Sequence, residues 1–109
     1  MIDLTARRQR YECDSLMTQF GGLASNLNRI AWHAQQASSS GVAPVFRESK
    51  YFTEWAASRC TEEQLVLLAD LQFELACWER GWGARLDCST IARDATVWSN
   101  RLLEEAGLK

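Results

Sequence analysis

An all-α fold, a small bundle with one long N-terminal helix and three further helices, is what this sequence predicts, and three observations predict it. Between Cys13 and Ala37 the apolar residues Leu16, Phe20, Leu23, Leu27, Ile30, Ala34 and Ala37 recur in alternating steps of four and three, the seam of a helix packed along its length. Pro occurs once and Gly six times in 109 residues, whereas Ala, Leu, Glu, Gln and Arg are abundant, which favours helix over sheet. Thr61-Glu62-Glu63-Gln64 is a capping box, in which a threonine hydroxyl and a glutamine side chain satisfy each other's backbone N–H groups at a helix start. No strand alternation, internal repeat or low-complexity tract competes with this reading.

The first helix is expected from about residue 4 to about 37, capped by Asp3 or Thr5. The Gly21–Gly22 pair inside it costs about 2 kcal/mol against two alanines. Because Cys13, Leu16 and Phe20 stay in phase with Leu23, Leu27 and Ile30, the reading is one helix passing through the pair, with the glycines marking a close approach of another backbone. A kink or a break at the double glycine is the alternative. Residues 38–44 read as a loop by composition.

A shorter helix is expected at about 47–58, with Phe52, Trp55 and Ala56 on its apolar side. The capping box then opens a helix over about 62–80, ended by Gly81-Trp82-Gly83. That helix carries two apolar stripes, Leu68/Leu71/Leu75/Trp78 and Val66/Phe73/Cys77, so it is predicted to be central, with neighbours on both sides. The last helix, about 89–106, is capped by Asp87 or Ser89 and has Ile91, Ala95, Trp98 and Leu102 in register. All of this fits one helical domain over 1–109.

Length creates a further expectation. A helix of about 33 residues runs about 50 Å and one of about 18 residues about 27 Å. The later helices cannot cover the whole seam of the first, which predicts a homodimer.

The net charge of −2 supplies no global attraction to nucleic acid or to an anionic membrane. No apolar run is long enough for a membrane span, and MIDLTARRQR lacks the apolar core of a signal peptide, so a cytoplasmic protein is expected. Cys13, Cys60, Cys77 and Cys88 include no CxxC pair and read as free thiols. A zinc site from three of them with His33 has no support in the spacing, so no metal and no cofactor is expected.

Several residues invite a functional reading. From Ser15 to Phe46 the only charged side chain is Arg29, leaving an uncharged face with Gly21, Ser25, Asn28 and Trp32 in line and Gly22 completing a notch with Gly21. Trp32 on such a face is a candidate anchor for a partner, as is the aromatic cluster of Tyr51, Phe52 and Trp55, which Arg47 and Lys50 accompany. Arg7, Arg8 and Arg10 form a basic cluster, but Glu12 and Asp14 follow at once, which argues against a nucleic-acid footprint. Residues 61–109 carry five basic and nine acidic side chains, a charge asymmetry able to orient a partner. Asp70, Glu74 and Cys77 sit at helical spacing, yet no Glu-x-x-His pair accompanies them, and no Ser–His–Asp, Walker, Rossmann or HExxH pattern exists.

His33 is the sole histidine. The nine residues from His33 to Gly41, HAQQASSSG, resemble the His-x-x-Lys-Gly-Ser-Ser pattern of histidine phosphotransfer domains. The resemblance implies an all-α phosphorelay module with His33 as phosphoacceptor. It departs from the pattern at Gln36, where the lysine would stand, and at Ala37, where the glycine would.

The function expected from the sequence is therefore that of a non-enzymatic adaptor or regulatory protein, dimeric, binding a protein partner through the uncharged face of the first helix. A phosphorelay module using His33 is the alternative, and a nucleic-acid accessory protein a weaker one.

Overall fold

The computed structural model describes residues 3–36, 41–82 and 87–109. Among them run five α-helices: α1 (Leu4–Cys13), α2 (Leu16–Gln35), α3 (Val42–Ala56), α4 (Glu62–Gly81) and α5 (Cys88–Glu105). A short 3-10 turn, Ala57–Arg59, follows α3. The described residues contain no strand, so the all-α class holds, and none of their helices is long and apolar enough to cross a membrane.

The helix expected over 4–37 is two helices, and the chain turns at Asp14 and Ser15 rather than at the double glycine. Asp14 and Ser15 adopt extended backbone, and the Ser15 hydroxyl accepts the Thr18 N–H at 3.2 Å, opening α2. On the other side of the turn, the Arg59 guanidinium donates to the Glu12 and Asp14 carbonyls at 2.8 and 2.7 Å. A cation there answers both the orphan carbonyls and the negative end of the α1 dipole. Cys13, whose phase suggested continuity, is exposed; Tyr11 supplies the buried contact of α1. Helix α2 is continuous through Gly21 and Gly22.

With α2, α4 and α5 spanning 20, 20 and 18 residues, the mismatch in length that predicted a homodimer is absent. Helix α3 starts at Val42, earlier than the expected 47, because Pro44 sits in its first turn, where a missing N–H leaves no helical bond unmade. Its start follows Gly41 at φ +81°, a left-handed conformation open to glycine. Of the expected loop at 38–44, residues 38–40 lie outside the described residues, as do Ala37 at the end of the expected first helix and Gly83 at the end of the third. Both capping-box bonds are present, Gln64 N–H to the Thr61 hydroxyl at 3.2 Å and Thr61 N–H to Gln64 Oε1 at 2.9 Å. Asp87 caps α5 through Ser89, whose backbone and hydroxyl both donate to its carboxylate; these bonds hold the Asp87 carboxyl below the usual range.

Packing follows from the buried stripes. Helix α5 lies antiparallel along α2, bringing small residues Ala24, Ala31, Ala34, Ala92 and Ala95 inside and letting the Ser99 hydroxyl donate to the Ala24 carbonyl at 3.0 Å. The last turn doubles back through Gly107 (φ +76°), where Leu108 N–H reaches the Leu103 carbonyl and Gly107 N–H that of Glu104. Helix α3 is the central helix. It takes α2 antiparallel through Asn26–Glu48, α1 parallel through Arg7–Glu48 and Tyr11–Phe52, and α4 antiparallel through Lys50–Glu79 and Phe46–Trp82. Phe20, Leu23, Leu27, Ile30, Phe46, Leu71, Leu75, Trp78, Ile91 and Leu102 form the core between these helices. The molecule measures 36 × 33 × 20 Å, and its short axis equals two helix layers at about 10 Å each.

Candidate functional site

Helix α4 is not central. Its stripe of Leu67, Leu68, Leu71, Leu75 and Trp78 is buried, whereas its opposite stripe faces out, with Val66 62% and Phe73 70% exposed. Ala69 and Ala76 lie in the same outward stripe and are exposed, and Cys77 is half-buried beside them. At about 100° per residue, Val66, Ala69, Phe73, Ala76 and Cys77 share one side of the helix, a seam that the other described residues leave uncovered. Leu65, 40% exposed, widens the stripe at its N-terminal end. The second stripe was visible in the sequence; its exposure was not, because periodicity tells that a face is apolar without telling what covers it.

The borders of this stripe are charged. Glu63, Asp70 and Glu74 lie along one edge, Glu62 stands at the N-terminal end and Arg80 at the C-terminal end. None of these five has an ion-pair partner among the described residues, whereas Glu79, on the other side, is held by Lys50 at 2.6 Å. The face is therefore apolar along its middle and acidic along one margin.

The residues singled out from the sequence fall into three places. Ser25, Asn28 and Trp32 are exposed in one stripe of α2, Trp32 by 56%, with its ring edge-on to His33 at 5.1 Å. The Gly21–Gly22 notch is bordered by the chain itself: a Cβ on Gly21 would stand 3.5 Å from Leu108, and one on Gly22 3.9 Å from Phe52. Trp55 is buried, and it stacks on half-buried Tyr51 with ring centres 5.4 Å apart. Those two aromatics wall a cleft of about 220 Å³ that α1, α2 and α3 share, to which Arg7, Arg29, Arg47 and Glu48 contribute. Glu48 accepts from both Arg7 and Asn26, at 2.6 and 3.1 Å, which leaves Arg29 and Arg47 as cations with no ion pair among the described residues.

His33 is half-buried, with its ring against Gly41, and its Nδ1 is buried with no hydrogen-bond partner among the described residues. Much of the stretch that resembles the phosphotransfer pattern, residues 37–40, lies outside the described residues. The Arg7, Arg8 and Arg10 cluster is partly neutralised, as Arg7 pairs with Glu48 and Arg8 with Glu12 at 3.2 Å. All four cysteines are free, and no group of three His, Cys, Asp or Glu side chains among the described residues could hold a metal ion.

Burial raises the Cys60 thiol above its ordinary value, so this sulfur stays protonated and donates to the Ala56 carbonyl at 3.3 Å. Such a thiol is a poor nucleophile.

No family model, no curated protein and no solved structure matches this chain.

Proposed function

We propose that this protein is a non-enzymatic interaction module, an adaptor or regulatory protein, and that it docks its partner on the outward face of α4. The observation that carries this reading is the exposure of Val66 and Phe73 at seam spacing on a helix whose other stripe is core. Single exposed apolar residues are common on protein surfaces, but an aligned row over three helical turns is a surface that association would remove from water. The uncharged α2 stripe with Trp32, favoured by the sequence, is the other candidate contact; it has one large anchor, and its glycine notch is bordered by Leu108 and Phe52. Four free thiols suit a reducing compartment, which supports a cytoplasmic location.

The phosphorelay reading draws less support. A phosphoacceptor imidazole needs an open nitrogen, and His33 is packed against Gly41 at one side and Trp32 at another. The nucleic-acid reading loses two of its three arginines to glutamates.

The test is differential capture from extract of the native host with tagged wild-type protein, Phe73→Ser and Trp32→Ser. A protein held stoichiometrically by wild type and by Trp32→Ser but released by Phe73→Ser, with helicity unchanged, is the expected result. Release by Trp32→Ser alone would move the docking face to α2, and a protein that holds nothing and stays monomeric would overturn the reading.

A further inference from the structure

Resting on α4 as the docking face, we infer that its occupant is an amphipathic helix of another protein whose apolar anchors are bordered by Lys or Arg. The length and spacing of the stripe specify a helix. Val66, Ala69, Phe73 and Ala76 run along about three turns, the reach of partner side chains at i, i+3 or i+4, and i+7. Ala69 and Ala76 on either side of Phe73 leave hollows beside a projecting ring, so a facing helix can seat its own large side chains there.

Charge specifies the sign of the partner. Glu63, Asp70 and Glu74 make one acidic edge parallel to the stripe, Glu62 adds to its N-terminal end, and among the described residues of this face Arg80 is the one cation, at the other end. A second copy of this chain meets that edge badly. In an antiparallel self-pair like edges face each other, so Glu63, Asp70 and Glu74 would oppose their own counterparts. In a parallel self-pair the two Glu62–Glu63 turns would come together, and neither acidic edge would find a basic one. Like charges at such distances repel, whereas a row of Lys or Arg on the incoming helix meets all three carboxylates.

The test uses the full chain and two dye-labelled model helices of about 18 residues, enough to span about 27 Å. One places Lys beside a leucine seam, and the other places Glu there. Fluorescence anisotropy at about 0.15 M salt reads their binding. The Lys helix is expected to bind at least about tenfold more tightly than the Glu helix. Phe73→Ser should weaken it by about tenfold or more, while Val97→Ser, which removes an exposed apolar residue from α5, should leave it unchanged. The combined Glu63→Gln, Asp70→Asn and Glu74→Gln variant should lose most of the preference for Lys over Glu.

Equal binding of the two helices would overturn the inference, as would binding that Phe73→Ser leaves untouched. Sedimentation of the same preparations separates the remaining outcomes. A homodimer dissociated by Phe73→Ser would put a second copy on α4, overturning the basic helix while keeping α4 as a docking face. Failure of Phe73→Ser to alter association of any kind would overturn the docking face itself.

Discussion

Tyr11 and Gln19 exchange hydrogen bonds across the turn that separates α1 from α2. The Tyr11 hydroxyl donates to the Gln19 carbonyl at 3.0 Å, and Gln19 Nε2 donates to the Tyr11 carbonyl at 2.9 Å, with both residues buried. The Tyr11 ring stacks on Phe52, centres 4.1 Å apart, and lies beside Trp55. One pair thus folds α1 back on α2 and fastens it to α3.

Burial holds the Tyr11 phenol protonated well above its ordinary value of 10.0, and the Cys60 thiolate that forms only in alkali and the Asp14 carboxylate push the same way. A group whose folded pKa is raised stabilises the fold below its unfolded pKa and loses that contribution as pH rises. Above pH 10 the unfolded chain releases the proton and the folded chain keeps it, so stability should fall by up to about 1.4 kcal/mol per pH unit. Urea midpoints at about pH 8 and pH 11 should show this for wild type, with a shallower fall in Tyr11→Phe. That variant should cost about 1 kcal/mol at neutral pH for the lost hydroxyl bond. An equal fall in both proteins would refute the assignment to Tyr11.

Ser15→Ala separates two helices from one. As the cap of α2, Ser15 is worth about 1 kcal/mol, and its loss should lower the thermal midpoint. In a single helix through residue 15, alanine would raise it instead.

Gly21→Ala and Gly22→Ala should each stabilise the protein by roughly 0.5–1 kcal/mol. Both positions are helical, and the added methyl groups would meet Leu108 and Phe52 at ordinary contact distances of 3.5 and 3.9 Å. The close backbone approach expected at this pair is absent among the described residues, since side chains are what the added methyls meet. A drop in thermal midpoint for either would show that Leu108 or Phe52 does not accommodate the methyl.

The two sides of α4 should respond in opposite ways. Leu75→Ala, at a fully buried position, should cost about 2–5 kcal/mol in chemical denaturation. Phe73→Ser should stay within about 0.5 kcal/mol, since its ring is already in water. A large loss from Phe73→Ser would mean that this face is covered within the chain.

Local chemistry on its own determined the helical class, the capping box at Thr61, a start of the last helix at Asp87 or Ser89 and the presence of two apolar stripes on α4. Each of these depends on residues within one or two turns of one another. The turn at Asp14–Ser15 was also local, but the phase of Cys13 with Leu16 masked it, because a seam read through a break continues to look like a seam when its period happens to agree. Tertiary structure decided the rest. Whether Tyr11 or Cys13 faces the core depends on Gln19, Phe52 and Trp55, the last two more than forty residues away in the chain. Which stripe of α4 is core depends on where α3 lies, through Phe46 and Lys50 against Trp82 and Glu79. Hydrophobic periodicity reports what a face would gain by leaving water, and only the positions of the other helices decide whether it has done so.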